Sequence, residues 1–155
     1  MSRLNVTWAT PANAEAMAVA HAGAFEPGWR EDEFEDLLDG AGVFGFLARD
    51  EDGPLGVILC RIAAEEMEVL TVGVPAAARR RGVARALMEA ALTAARTAGA
   101  RACFLEVAED NAPAAALYAG LGFHRAGLRK AYYDRGAAGT MDAIVMRLDL
   151  NAGPA

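Results

Sequence analysis

Arg79, Arg80, Arg81 and Arg85 crowd around Gly82 and Ala84, the densest grouping of chemically active side chains in the sequence. The segment follows a β-rich apolar run at 67–74. It leads into Val83, Leu87, Ala91, Ala94 and Ala98, whose spacing of three and four predicts a helix that starts at Gly82 and ends at Gly99. Cations at a helix start oppose the positive end of its macrodipole, each by about 0.3–1 kcal/mol, so an anion is the natural compensation. Strand, loop and helix start in that order leave backbone N–H groups unpaired beside residues small enough to admit a ligand, and a diphosphate suits such a site. The alternative is a solvated arginine cluster ahead of an ordinary helix.

Two further side chains stand out against apolar surroundings. Glu106 interrupts the run 102–107, which is otherwise apolar on both faces as in a covered central strand. It is either a salt-bridged or edge-exposed carboxylate or a general base, acting directly or through a water. Tyr118 lies on an apolar helix face, where a tyrosine is by default a core aromatic with a partner for its hydroxyl. Tyr132 and Tyr133 fall in a strand, so alternation sends them to opposite faces, and only one is expected to present its hydroxyl to a substrate. Cys60 and Cys103 sit in apolar runs without metal-site spacing and read as small buried hydrophobes. Alternation puts Cys103 on the face opposite Glu106, which argues against a nucleophilic role. His21 and His124 show no partner pattern and receive no role, and no metal-ligand cluster is present. The Walker phosphate motif is absent. The GxGxxG spacing of Gly40 to Gly45 comes after a helix and before a strand, the wrong order for a dinucleotide turn, and reads as a loop.

The elements that must position these groups follow from local pattern. Asn5 to Trp8 is a short strand; Thr10 and Pro11 open a helix expected to run to about residue 24. Residues 31–38 form an acidic helix with Phe34, Leu37 and Leu38 inward, stopped by Gly40. Its Glu31, Glu33, Asp36 and Asp39 could attract a basic peptide, but a solvated face is the favoured reading. Strands at 43–48 and 55–62 flank the hairpin turn at 50–53, and 67–74 is another strand. Asn111 can cap a short helix with Pro113 in its first turn, ended by Gly122. Strands at 123–133 and 141–150 close the chain around the 136–139 loop. One β-α-β crossover, from 67–74 through the long helix to 102–107, joins otherwise antiparallel neighbours, giving an α+β class.

The chain has 155 residues, 54% of them apolar, enough for one domain over residues 1–150, with 151–155 as a flexible tail. Its first thirty residues contain no long apolar stretch, so neither a signal peptide nor a membrane span is expected and a cytoplasmic location is. A net charge of −6 argues against general nucleic-acid binding. The average hides an asymmetry: residues 1–70 carry 4 basic and 14 acidic side chains, residues 71–155 carry 11 and 7. The first half suits a cationic partner, the second an anionic one.

Arg79-Arg-Arg-Gly82-Val-Ala84 matches the Arg/Gln-x-x-Gly-x-Gly/Ala signature of the GCN5-related N-acetyltransferases (GNAT), and the chain resembles that superfamily over about residues 5–150. Leu105-Glu106 through Asp110-Asn111, Ala116-Leu117-Tyr118, Leu121-Gly122-Phe123 and Arg129-Lys-Ala-Tyr132-Tyr133 are similar to the narrower RimI group, which acetylates the N-terminal alanine of a small-subunit ribosomal protein. Phe25 to Trp29 looks like that group's turn between its first two helices, although the group more often has proline directly before the tryptophan. The resemblance implies a mixed, mostly antiparallel sheet of six to seven strands, about four flanking helices, and splayed fourth and fifth strands. It implies acetyl-CoA as co-substrate without a metal. Val72 and Val74 would offer backbone to the pantetheine arm, Arg79, Arg80, Gly82, Ala84 and Arg85 would wrap the pyrophosphate, and Asn111 would reach the pantetheine. Glu106 corresponds to the group's general base, Tyr118 to its general acid, and Tyr132 and Tyr133 to paired tyrosines that hold the incoming peptide. The implied partner is a protein N-terminus, bound by a monomer or weak dimer. A small-molecule amine or a lysine side chain is the alternative acceptor, and a non-catalytic acyl-CoA-binding module is the alternative of another class.

Overall fold

A computed structural model describes residues 3–25 and 27–150. The tail expected at 151–155, and Glu26 in the Phe25 to Trp29 turn, lie outside the described residues. Eleven elements follow in order: β1 (Asn5–Trp8), α1 (Ala14–Ala22), α2 (Glu31–Leu38), β2 (Val43–Asp50), β3 (Gly53–Ala63), β4 (Glu66–Gly73), α3 (Val83–Thr97), β5 (Ala102–Ala108), α4 (Ala112–Gly120), β6 (His124–Asp134) and β7 (Thr140–Asp149). The expected first helix is shorter than its pattern suggests. Asn13 turns its side chain back to accept the Thr10 N–H at 3.0 Å, so Pro11–Asn13 forms a separate 3₁₀ turn before α1 begins.

The strands form one sheet in the order β1-β2-β3-β4-β5-β7-β6. All neighbours are antiparallel except β4 and β5, the pair linked by the α3 crossover. This is the mixed seven-stranded sheet with four helices expected of an α+β chain. The parallel pair is short: only Glu66, Met67 and Glu68 register against Ala102, Cys103 and Phe104. Beyond that point β4 runs on to Gly73 and β5 to Ala108 without pairing to each other, so the two strands splay as expected.

Apolar side chains bury on both faces of the sheet. Val83, Leu87, Met88, Ala91, Leu92 and Ala95 of α3 pack with Phe46, Ile58, Cys60, Cys103 and Leu105. Met17, Ala20 and Phe34 of α1 and α2 pack with Leu47, Val57 and Leu59 on the other side. Full burial of a side chain such as Leu87 is worth roughly 1.5–3 kcal/mol, and truncating it to alanine would cost about 2–5 kcal/mol once the cavity is included. Gly56 sets how closely α3 approaches: a Cβ there would lie 2.9 Å from Val83 Cγ1 and 3.1 Å from Leu87 Cδ1.

The β6-β7 pairing breaks the alternation expected along the last strands. Arg129 registers with Ala143 and Tyr133 with Met141, so three residues of β6 stand against one of β7. Ala131, within this bulge, takes the left-handed φ of 54°, and its N–H is held by Asp142 Oδ1 at 2.7 Å.

Candidate active site

Where β4 and β5 part, they leave a cleft of about 810 Å³. Its walls come from β4 and β5 where they splay, Ala114 and Tyr118 of α4, Arg129 and Tyr132 to Asp134 of β6 with Arg135 beyond it, Val145 of β7, and His21 of α1 with Phe25, Pro27 and Trp29 of the α1-α2 connection. Of the sequence-predicted residues, the cleft gathers Val72, Glu106, Asn111, Tyr118, Tyr132 and Tyr133. Val74, Arg79, Arg80, Gly82, Ala84 and Arg85 do not line it; they follow the end of β4, in the loop and first turn of α3.

That loop has the backbone of an anion cradle. Arg80 and Gly82 both adopt left-handed φ, 66° and 76°, and Gly82 is the N-cap of α3 without any side-chain cap. The first-turn N–H groups of α3 are therefore not satisfied by a capping side chain, and nothing lies within 4 Å of where a Gly82 Cβ would stand. The arginines divide their work. Arg79 Nε donates to the Val74 carbonyl at 3.1 Å, Arg81 pairs with Asp50 at 3.1 Å, and Arg85 approaches Glu89 at 3.7 Å one helical turn away. Arg81 thus ties the loop to the β2-β3 turn.

Glu106 points from β5 into the cleft and is not isolated. Arg129 Nη1 donates to its Oε1 at 3.0 Å and Oε2 at 3.4 Å, and the same guanidinium sits 4.0 Å from the centroid of the Tyr132 ring. The salt-bridged carboxylate is therefore present, in a position where a base would also stand. Cys103, Leu105 and Val107 bury in the α3-side core, on the opposite face of β5. Burial pushes the Cys103 thiol up to about 12 and the Cys60 thiol well above its usual range, as unreactive thiols require.

Tyr118 is 6% exposed, packs edge-on against Phe123 and makes no side-chain hydrogen bond among the described residues. Burial, with Tyr133 a lesser influence, raises its phenol to about 12, so it stays protonated throughout the neutral range. Asn111 caps α4 by accepting the Ala114 N–H at 3.3 Å, which fixes its side chain at the cleft edge. Arg135 and Asp110 clamp the β6 end to the β5-α4 loop with bonds of 2.6 and 2.9 Å.

The expectation that Tyr132 and Tyr133 face opposite ways is overturned. The bulge around Ala131 breaks strict alternation, and both rings border the cleft with centroids 5.0 Å apart. Tyr133 donates its hydroxyl to the Glu106 carbonyl at 3.4 Å.

His21, expected to have no partners, has several. It is buried at 2% exposure, accepts the Trp29 N–H at Nδ1 and meets Thr71 Oγ1 with Nε2. The sequence does carry a signal, since Ala14, Met17 and His21 share the inward face of one helix. Thr71, which sequence reasoning also misses, has none, and Arg129 stands in the motif that ends in Tyr133 without a role of its own; each acquires its meaning from a residue distant in sequence.

Among the described residues no group of three or more His, Cys, Asp or Glu side chains could hold a metal ion, and no helix is long and apolar enough to cross a membrane.

Comparison with known proteins gives the site its context. A [ribosomal protein bS18]-alanine N-acetyltransferase of Salmonella typhimurium is 34% identical over 101 residues, 65% of this chain and 68% of that protein. The N-alpha-acetyltransferase RimI of Mycobacterium tuberculosis is 44% identical over 84 residues, 54% of this chain and 49% of its own length. The crystal structure of the Escherichia coli ribosomal-protein-S18-alanine N-acetyltransferase superposes with a TM-score of 0.87 at 26% identity, over 96% of this chain and 94% of that one. Arabidopsis thaliana NAA60 in complex with acetyl-CoA shares the fold at 18% identity and a TM-score of 0.84, over 96% of this chain and 99% of that one. The profile of the acetyltransferase (GNAT) family matches residues 11–123, and the chain belongs to that family.

Proposed function

We propose that the chain transfers an acetyl group from acetyl-CoA to the N-terminal α-amine of a protein, the alanine terminus of a small-subunit ribosomal protein, by direct attack in a ternary complex in the cytoplasm. The observation that carries this reading is the open edge of β4 beside Glu106 and Tyr118, with the anion cradle at its end. The names of relatives that act on ribosomal protein bS18 support the acceptor.

The residues suit the co-substrate. The β5-facing side of β4 from Val69 to Gly73, Val72 included, has no strand partner there and can pair with an extended amide-bearing arm as an added strand would, with Val74 directly following. The α3 start, with Arg79, Arg80, Gly82, Ala84 and Arg85, offers N–H groups and cations to a diphosphate. Asn111 Nδ2 is available to the arm because its Oδ1 is the capping atom. When bound, acetyl-CoA supplies an activated thioester; everything else is the work of this chain.

Near pH 7.4 an α-amine of pKa about 7.8 loses its proton for ~0.5 kcal/mol, whereas a lysine amine of pKa about 10.4 costs ~4 kcal/mol. A single carboxylate suffices as base for the first amine and is poorly matched to the second. That difference in cost favours the α-amine reading. Attack of the amine on the thioester would form the carbon–nitrogen bond and release the thiolate; Glu106 would take the amine proton, directly or through a water, and Tyr118 would donate toward the leaving sulfur. A phenol at about 12 would give its proton to a thiolate of pKa about 8.5 at a cost of ~5 kcal/mol, against ~2 kcal/mol for an ordinary tyrosine. Tyr118 therefore acts mainly as a hydrogen-bond donor to the leaving sulfur, with solvent completing the transfer. Tyr132 and Tyr133 are positioned to hold the acceptor backbone.

The test is incubation of the purified chain with acetyl-CoA and peptides that differ only at the N-terminus. Acetylation of the α-amine of an alanine-initiated peptide is expected. Transfer confined to lysine side chains or small amines would overturn the acceptor, and no transfer at all would leave an acyl-CoA-binding module.

A further inference from the structure

His21 of α1 and Thr71 of β4 meet in the cleft wall, and their hydrogen bonds admit one arrangement of protons. The Trp29 backbone N–H donates to His21 Nδ1 over 2.9 Å, so Nδ1 must offer a lone pair. The ring proton then resides on Nε2, which donates to Thr71 Oγ1 over 3.0 Å. A second ring proton would point straight at the Trp29 N–H. The enclosing rings of Phe25 and Trp29, stacked at 4.4 and 4.9 Å, keep the imidazole neutral in the same sense.

Because Thr71 Oγ1 accepts from His21, its own hydrogen must be given elsewhere. Thr71 makes no second side-chain hydrogen bond among the described residues, is only 9% exposed and lines the cleft. A hydroxyl hydrogen in that position is a directed donor waiting for an acceptor atom. The register fixes its side of the sheet. Thr71 stands opposite Leu59, which packs in the core beneath α1 and α2, so its side chain lies on the face away from α3 and the arginine loop. That is the face by which an acceptor would arrive opposite a coenzyme seated on α3.

We infer that Thr71, oriented by His21, donates a hydrogen bond to the first carbonyl oxygen of the acceptor peptide and so positions the neighbouring α-amine for attack. The inference rests on the reading of the cleft as an acetyl-transfer site. Its consequence is specificity: an α-amine is followed two atoms later by a carbonyl, whereas a lysine side chain or a simple alkylamine has none within reach of the same donor. His21 acts through Thr71 and is a positioning residue.

The test uses the full chain, acetyl-CoA, an alanine-initiated peptide, and the same peptide with a methylene in place of its first carbonyl. Thr71→Val should lower kcat/KM for the natural peptide about 3- to 10-fold, through KM, as loss of one neutral hydrogen bond requires. The methylene peptide should be used equally well by parent and variant, and comparing enzymes on one substrate cancels any difference in amine basicity between the peptides. Thr71→Ser, which keeps the hydroxyl, should restore the preference, and KM for acetyl-CoA should stay constant in all three proteins. An equal loss on both peptides would mean a purely structural role and overturn the inference, as would an unchanged kcat/KM on the natural peptide or a loss expressed in acetyl-CoA KM. A parent chain that acetylates neither peptide would instead remove the function on which the inference rests.

Discussion

The arginine loop and the proposed acceptor side of the cleft are built in opposite ways. The loop is one contiguous stretch, 79–85, shaped chiefly by two left-handed residues and a helix start, with Arg81 tied across to Asp50. The acceptor side is assembled from α1, β4, β5 and β6, through His21 to Thr71, Arg129 to Glu106 and Tyr133 to the Glu106 carbonyl. A diphosphate is a guest that backbone geometry encoded in seven residues can meet. A reacting centre needs groups from several directions, and its geometry therefore depends on the whole sheet.

The largest test of this contrast is chemical. Tyr118→Phe and Glu106→Gln should each lower kcat about 100-fold while leaving acetyl-CoA affinity within about twofold, because the base and the hydrogen-bond donor both act on the reacting atoms and the loop binds independently. Steady-state kinetics with calorimetry of coenzyme binding separates the two; parallel losses in both would break the contrast.

Next comes the acceptor wall. The folded protein holds His21 at about 4, chiefly through burial, with Glu33 opposing weakly, against an ordinary value of 6.5. The unfolded chain therefore takes up a proton first. The stability associated with neutral His21 is complete above about pH 6.5 and is lost as pH falls toward 4, a change on the order of 3 kcal/mol. Thermal melts across that range should show the decline, and His21→Gln should flatten it, even if the variant starts less stable.

A smaller effect is expected in the loop, with opposite signs for binding and folding. Arg80 holds a left-handed φ of 66° that costs a non-glycine residue about 1 kcal/mol. Arg80→Gly should raise Tm by a few degrees yet weaken acetyl-CoA binding about tenfold through loss of a charge-assisted bond. A variant that loses stability would show that the loop is held by more than its own backbone. The smallest effect is a null one: Cys103, raised to about 12 by burial, should resist alkylation at pH 8 until the protein unfolds.

The same contrast decides how much of the molecule is legible in its amino-acid sequence. The helix after Gly82 and the α4 cap at Asn111 rest on patterns within about fifteen residues, and both are present; the splay of the parallel pair, implied by the family resemblance rather than by local pattern, is present too. The facing of Tyr132 and Tyr133 escapes the rule of strand alternation because a bulge is set by how β7 registers, with Asp142 reaching across to the Ala131 N–H. Glu106 is visible as a carboxylate in an apolar strand. Its arginine partner is not, since 23 residues separate them. His21 is legible as a buried position on α1, but its polarity only makes sense beside Thr71, 50 residues away.

The brevity of the β4-β5 pairing has a mechanical result. Three residue pairs are all the ladder that joins β1–β4 to β5–β7, so amide exchange should divide the sheet along that seam into two cooperative units. The first is sandwiched between α3 on one side and α1 with α2 on the other, whereas nearly every residue of β6 is open to solvent. Amides of β6 should accordingly exchange fastest among the strands that border the cleft, which leaves the hairpin bearing Tyr132 and Tyr133 the most readily deformed edge around an arriving chain.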